Sequence, residues 1–125
     1  LGGCKTPRGL LHEYTDRQMW GKVRRLEGAV RRAGGIDILV THAPALGLGD
    51  EPNSFHEGFD AFRWLDETWQ PTYHLYGHVH LSGSPVDRRA FIQYGPTTLV
   101  NATGYKLLDV PEPKAADRSI LRRWR

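Results

Sequence analysis

Residues 36–40, Ile36-Asp37-Ile38-Leu39-Val40, constrain the fold more than any other stretch. The run is short, β-branched and nearly continuous in apolar character, which predicts a strand buried on both faces. A helical pattern precedes it. Thr15-Asp16-Arg17-Gln18 places a hydroxyl at an N-cap and an amide three residues on, a capping box. Met19, Trp20, Val23, Leu26, Ala29, Val30 and Ala33 then recur at intervals of three and four, predicting an apolar helical stripe. Gly34-Gly35 allows the left-handed residue that ends such a helix, and Arg31 and Arg32 suit its negative end. Helix, tight glycine turn and strand make one αβ unit. Open α/β sheets bind ligands just beyond the C-terminal ends of their strands, and Thr41-His42-Ala43-Pro44 stands there.

The pattern then repeats. Residues 45–54 form a breaker-rich loop containing Gly47, Gly49, Pro52 and Asn53, whose length and place favour a functional loop over a tight connector. A helix is expected over residues 58–69, burying Phe59, Phe62, Leu65 and Trp69 and ending before Pro71. Tyr73-His74-Leu75-Tyr76 reads as a second strand, with Gly77-His78-Val79-His80 at its tip. After a turn at residues 82–85, residues 90–94, 97–101 and 105–109 read as three strands of an antiparallel meander, separated by Gly95-Pro96 and Thr103-Gly104. Residues 110–125 form a basic tail with Ile120, Leu121 and Trp124 as anchors.

Composition excludes several classes. A hydrophobic fraction of 39%, with four Trp, five Tyr and four Phe, belongs to a globular chain rather than a disordered one. At 125 residues it holds one domain at most. No apolar run approaches the ~18 residues of a membrane span, so a soluble, cytoplasmic protein without a membrane partner is expected. Cys4 is the single cysteine, which rules out a disulfide within the chain and a cysteine-based zinc site. Residues 106–125 carry six Lys/Arg against three Asp/Glu and so supply the whole net charge of +3. Residues 34–105 carry three basic and eight acidic residues, surroundings that suit cation binding. The arginine-rich helix face and the tail give nucleic acid little support as a partner, since such faces are usually just solvated.

Side chains two apart in an extended segment share a face at roughly 6.5–7 Å. His78 and His80 are therefore expected to point one way, and ions about 3.5–4 Å apart allow each to reach a different metal. His42, on the neighbouring strand end, can join either. Imidazoles from three positions suit Zn, Mn or Fe more than Ca or Mg. Gly77 is expected to let the backbone turn close to the site. His12 reads as a surface or half-buried histidine. His56, just ahead of the second helix, is a candidate to reach the site.

An apolar strand followed by Thr41-His42-Ala43-Pro44, then a strand followed by Gly77-His78-Val79-His80, resembles the calcineurin-like metallophosphoesterase family. That family's last two motifs are a histidine after a strand and a Gly-His-x-His. The resemblance runs over residues 1–109 and includes Tyr14-Thr15 with Met19, His56 with Gly58-Phe59, and Val100-Asn101-Ala102. It implies an α/β fold, the C-terminal half of a four-layer α-β-β-α sandwich, with residues 110–125 as an appended tail. It also implies that His42 and His78 bind one of two divalent ions (Mn, Fe or Zn) and that His80 binds the other; His56 is, by its position, a candidate substrate contact, with a packing or solvent-facing role as the alternative.

The family's earlier motifs, Asp-x-His, Gly-Asp-x-x-Asp and Gly-Asn-His, are absent: Gly49-Asp50-Glu51 lacks the second aspartate, and no Asn-His occurs. The chain opens on Leu1, not Met, and reads as processed or as part of something longer. The implied activity is hydrolysis of phosphate mono- or diesters by a metal-activated water. No catalytic side chain beyond the ligands is assigned, and this chain alone is expected to be inactive unless another chain completes the domain. The alternative is an inactive binding or scaffold protein of the same family.

Overall fold

A computed structural model describes residues 1–5, 10–53, 55–80 and 90–112. The turn expected at residues 82–85 and the tail from residue 113 onward lie outside them. Two helices and four strands follow in the order α1 (Asp16–Ala33), β1 (Ile38–Val40), α2 (Asp60–Trp69), β2 (Tyr73–Tyr76), β3 (Phe91–Tyr94) and β4 (Thr97–Asn101). The sheet order is β1-β2-β4-β3, with β1, β2 and β4 parallel and β3 antiparallel to β4. The chain is thus a mixed α/β domain.

The ends of α1 form as their residues dictate. Thr15 Oγ1 accepts from Gln18 N at 3.3 Å while Thr15 N donates to Gln18 Oε1 at 2.8 Å, completing the capping box. At the other end Gly34 has φ of 85°, and the N–H groups of Gly34 and Gly35 return to Arg31 O and Val30 O in a Schellman pattern. The expected apolar stripe is narrower than the sequence suggests. Met19 and Val23 are buried, but Leu26, Ala29 and Ala33 are exposed. There Leu26 and Val30 join Leu1, Ile36, Trp64 and Trp69 around an apolar cavity.

The second helix starts at Asp60, two residues later than expected. Phe59 is the N-cap, with extended backbone. Its N–H donates to Pro44 O and its carbonyl accepts from Leu46 N as well as from Phe62 N and Arg63 N in the first turn, so pairing with residues 44–46 sets where the helix begins. Its stripe is as read: Phe59, Phe62, Leu65 and Trp69 are all buried. They pack with Met19, Val23, Leu39, Tyr76 and Leu99 into one core between the helices and one face of the sheet.

The other face corrects two expectations. Leu39 points into the core, whereas Ile38 and Val40 are 39% and 57% exposed. The run at residues 36–40 is therefore covered on one side only, because both helices lie on the Leu39 side. Val40, Leu75, Val100 and Phe91 are register partners in one row across that outer face, and Phe91 is half exposed. Nor do residues 105–109 form the expected third strand of a meander: they have no regular structure, and Tyr105 and Leu107 are exposed. The segment is tied back through Tyr73, whose hydroxyl donates to Asp109 O at 2.9 Å. Among the described residues no helix is long and apolar enough to cross a membrane.

Candidate metal centre

The parallel pairing of β1 with β2 brings the two histidine-bearing tips side by side. Thr41 N donates to Leu75 O, and Gly77 N donates to His42 O at 3.0 Å, so the ladder runs on past both strands. His42 N donates in turn to Leu1 O. Both backbone groups of His42 are thereby held, and its side chain leaves from a fixed origin.

The tip of β2 bends sharply. His78 has φ of 66°, and Val79 N donates to Gly77 O at 2.7 Å, a γ-turn centred on His78. A positive φ is uncommon for a residue with a side chain. The conformation is maintained from β4 and the bend after it: Asn101 Nδ2 donates to Val79 O at 2.8 Å, Thr103 Oγ1 donates to the same oxygen at 3.3 Å, and Asn101 is fully buried. Residues 77–80 are thus not the extended segment that would align His78 with His80. Gly77 also proves less demanding than expected, since a Cβ added there would meet nothing closer than His42 O at 3.8 Å.

The bend turns His78 onto its neighbour. His42 Nε2 and His78 Nδ1 lie 3.1 Å apart, with ring centroids separated by 4.9 Å. Two imidazoles on one ion, with bonds of about 2.0–2.1 Å and an angle between about 90° and 109°, hold their nitrogens about 2.9–3.3 Å apart. The pair fits that spacing. Partial burial, and after it the electrostatic influence of the adjacent His78 ring, hold His42 below the usual histidine value. A neutral imidazole is the form that binds metal.

His56 arrives from the loop of residues 45–58. Its ring lies 5.3 Å from that of His78 by centroid, and His78 Nε2 meets the neighbouring Phe55 O at 2.5 Å. Asn53 orients the loop, its Oδ1 accepting from Phe55 N and His56 N and lying 3.0 Å from His56 Nδ1, with Glu51 Oε2 at 3.5 Å. The loop base is closed by Gly58 N donating to Asp50 Oδ2 at 3.0 Å. An added Cβ at Gly58 would run into the Ala45 carbonyl at 2.5–2.6 Å, so only glycine admits this approach.

The structure therefore gathers His42, His78 and His56. His80 is exposed, and no ring contact joins it to them among the described residues. His12 is exposed as well, in a turn near the start of the chain. Among the described residues no group of three or more His, Cys, Asp or Glu is arranged to hold a metal. What is assembled is a two-nitrogen pair.

Four residues in this arrangement are given no role by the sequence. Asn101 stands in Val100-Asn101-Ala102, but nothing in that segment shows that its side chain reaches Val79 O. Thr41, His74 and Asp66 meet beneath the strand tip: His74 Nε2 lies 2.8 Å from Thr41 Oγ1, and His74 Nδ1 lies 2.8 Å from Asp66 Oδ2, with the His74 and Asp66 side chains fully buried. The spacing Asp66 to His74 crosses from helix to strand, so no single periodicity reveals it.

A UPF0046 protein from Caenorhabditis elegans is 33% identical to the chain over 66 residues, 53% of this chain and 21% of that protein. The chain thus matches about a fifth of the length of this relative. No protein-family profile matches the sequence, and no solved structure matches the chain.

Proposed function

We propose that this chain contributes one wall of a two-metal phosphoesterase site and forms the C-terminal half of a calcineurin-like sandwich. The carrying observation is the His42–His78 pair, 3.1 Å between nitrogens at the tips of adjacent parallel strands. Hydrogen bonding alone does not require this pairing, since His42 is exposed and His78 only half-buried. The positive φ of His78 adds weight, because strained backbone concentrates where a side chain must be aimed.

In this reading His42 and His78 hold one divalent ion (Mn, Fe or Zn) and His80 belongs to the second. His56, oriented by Asn53 and Glu51 beside His78, contacts the phosphoryl group of a phosphate mono- or diester. When bound, the metals supply an activated water and neutralise phosphoryl charge. The chain's own part is to present neutral imidazoles at fixed spacing and to line the substrate's side of the site with the loop of residues 45–58. The outer sheet face supports the four-layer fold, since a sheet apolar on both faces is suited to a second layer. Ile38, Val40, Leu75 and Phe91 lie on the face that both helices leave open.

The opposite ligands are then supplied by another segment or chain. The test is hydrolysis of an aryl phosphate with Mn²⁺, for the chain alone and together with a supplied N-terminal half of a calcineurin-like domain. Activity is expected only in the second case; no hydrolysis in either, with no metal retained by the chain, would overturn the reading. One observation favours a second reading, a binding or scaffold protein: the described residues bring only two metal-binding nitrogens together. That alternative predicts a metal-free protein whose properties are indifferent to His78→Ala.

A further inference from the structure

We infer that Asp66, His74 and Thr41 form a buried clamp that positions His42, so that metal capture at the surface is set from the core; the inference rests on the metal-site reading above. The chain of contacts begins on α2 with Asp66, passes through His74 on β2 and ends at Thr41, the residue before His42. The hydrogen count fixes its direction. Thr41 Oγ1 donates its one hydrogen to Ala43 O at 2.6 Å, closing a turn around His42. His74 Nε2, 2.8 Å from the same oxygen, must therefore be the donor to it. One proton then bridges His74 Nδ1 and Asp66 Oδ2. Every polar contact of the ring is used, and the Thr41 hydroxyl can neither rotate nor release Ala43 without leaving a buried donor unpaired.

Stability alone is a poor reason for this arrangement. Apolar residues of similar volume often do as well as a buried pair of ionisable groups. Asp66 Oδ1, moreover, is buried with no partner among the described residues, which adds a desolvation cost. What the clamp supplies is position. It locks the Thr41–Ala43 turn from below, while Gly77 and Leu1 hold the His42 backbone from the two sides. From that fixed backbone the His42 ring meets His78 at 3.1 Å. Outer groups that orient metal-binding histidines are worth roughly 10–100-fold in metal affinity.

The experiment is Co²⁺ titration followed by visible absorption, with thermal unfolding as a control, on the chain and on its Thr41→Val, Thr41→Ser and Asp66→Asn variants. Thr41→Val keeps the shape but removes the hydroxyl, and it is expected to weaken Co²⁺ at least about tenfold. Thr41→Ser restores the hydroxyl and is expected to bind as the parent does. Asp66→Asn, which loosens the far end of the clamp, is expected to fall between them, and it carries the comparison if Thr41→Val does not fold. Parent-like Co²⁺ affinity in the folded variants that lack a clamp contact would overturn the inference. A metal-free readout separates the two layers of argument: the ring signals of His42 in nuclear magnetic resonance spectra should broaden or split in Thr41→Val and remain single in Thr41→Ser. Unchanged signals in Thr41→Val overturn the clamp. Absence of Co²⁺ binding in the parent, with the expected His42 signals, overturns the metal reading while leaving the clamp standing.

Discussion

His42 Nε2 faces His78 Nδ1 at 3.1 Å although 36 residues separate them in sequence. Parallel pairing of Ile38–Val40 with Tyr73–Tyr76 sets the two tips level, and the γ-turn at His78 closes the remaining gap. If the pair is a metal-binding element, its two members are not interchangeable with the exposed His80. The chain is therefore expected to retain Co²⁺ or Mn²⁺ through dialysis, His42→Ala and His78→Ala to lose most of it, and His80→Ala to lose much less in the isolated chain. Metal content by atomic emission reads this directly. Equal losses in all three variants would count against the pair as the principal element.

How much of this was legible in the sequence depends on the range of the interaction. Thr15, Gln18 and Gly34 announce both ends of the first helix because caps are local, made within a few residues. Tyr73–Tyr76 was likewise readable from a short apolar run before a glycine. The burial of residues 36–40 was not, because an apolar run does not say whether one face or two will be covered, and here both helices chose the Leu39 face. The bend at His78 was illegible for a similar reason. It depends on Asn101 reaching Val79 O from 22 residues away, and nothing within residues 77–80 distinguishes a γ-turn from an extended strand end. His42 and His78 could be named as partners; their meeting without His80 could not.

Asn101 is accordingly expected to matter out of proportion to its place in a strand. Its amide donates to Val79 O while its Oδ1 accepts from Thr103 N at 3.0 Å, and it has no exposed surface. Asn101→Ala leaves both partners short of a contact, at a cost of about 1–3 kcal/mol. Asn101→Asp is expected to be worse, since a carboxylate keeps the bond to Thr103 N but turns an acceptor toward Val79 O. Urea unfolding of the two variants measures the order. An Asp variant as stable as the parent would mean that the Thr103 hydroxyl alone satisfies Val79 O.

Acidification is expected to loosen the contact between the second helix and the third strand. Tyr94 Oη donates to Glu67 Oε1 at 2.7 Å and Arg63 Nε donates to it at 2.9 Å. The Tyr94 hydrogen bond first, and the Arg63 one after it, hold the Glu67 carboxyl below the usual value of 4.5. The folded chain thus binds this proton less readily than the unfolded chain does. The stabilisation is present above the ordinary glutamate range and is lost as pH falls through the folded value. The group is mostly exposed, so the effect on unfolding is small and salt-sensitive. The cleaner measurement is the carboxyl carbon shift of Glu67 against pH, whose midpoint should rise toward the ordinary value in Tyr94→Phe. A midpoint that does not move would assign the depression to Arg63 alone.

Two glycines near the site separate a steric need from an apparent one. Gly77 opens the Gly-His-x-His motif, yet its φ is not in the left-handed region and a Cβ there meets His42 O at a comfortable 3.8 Å. Gly77→Ala is therefore expected to change stability by less than about 0.5 kcal/mol. Gly58 belongs to no ligand motif, but a Cβ there would press on the Ala45 carbonyl and on Leu46 N at 2.7 Å, all of it backbone that no rotamer change can clear. Gly58→Ala is expected to cost about 1–3 kcal/mol through forced backbone movement. Because residues 45–58 also carry Phe55 and His56 against His78, the same movement should carry the loop away from the histidine pair. Urea midpoints test the first effect, and chemical-shift changes at His56 and His78 test the second. If Gly58→Ala unfolds at the parent's midpoint while Gly77→Ala does not, the close approach of the loop to Ala45 is not what closes the site.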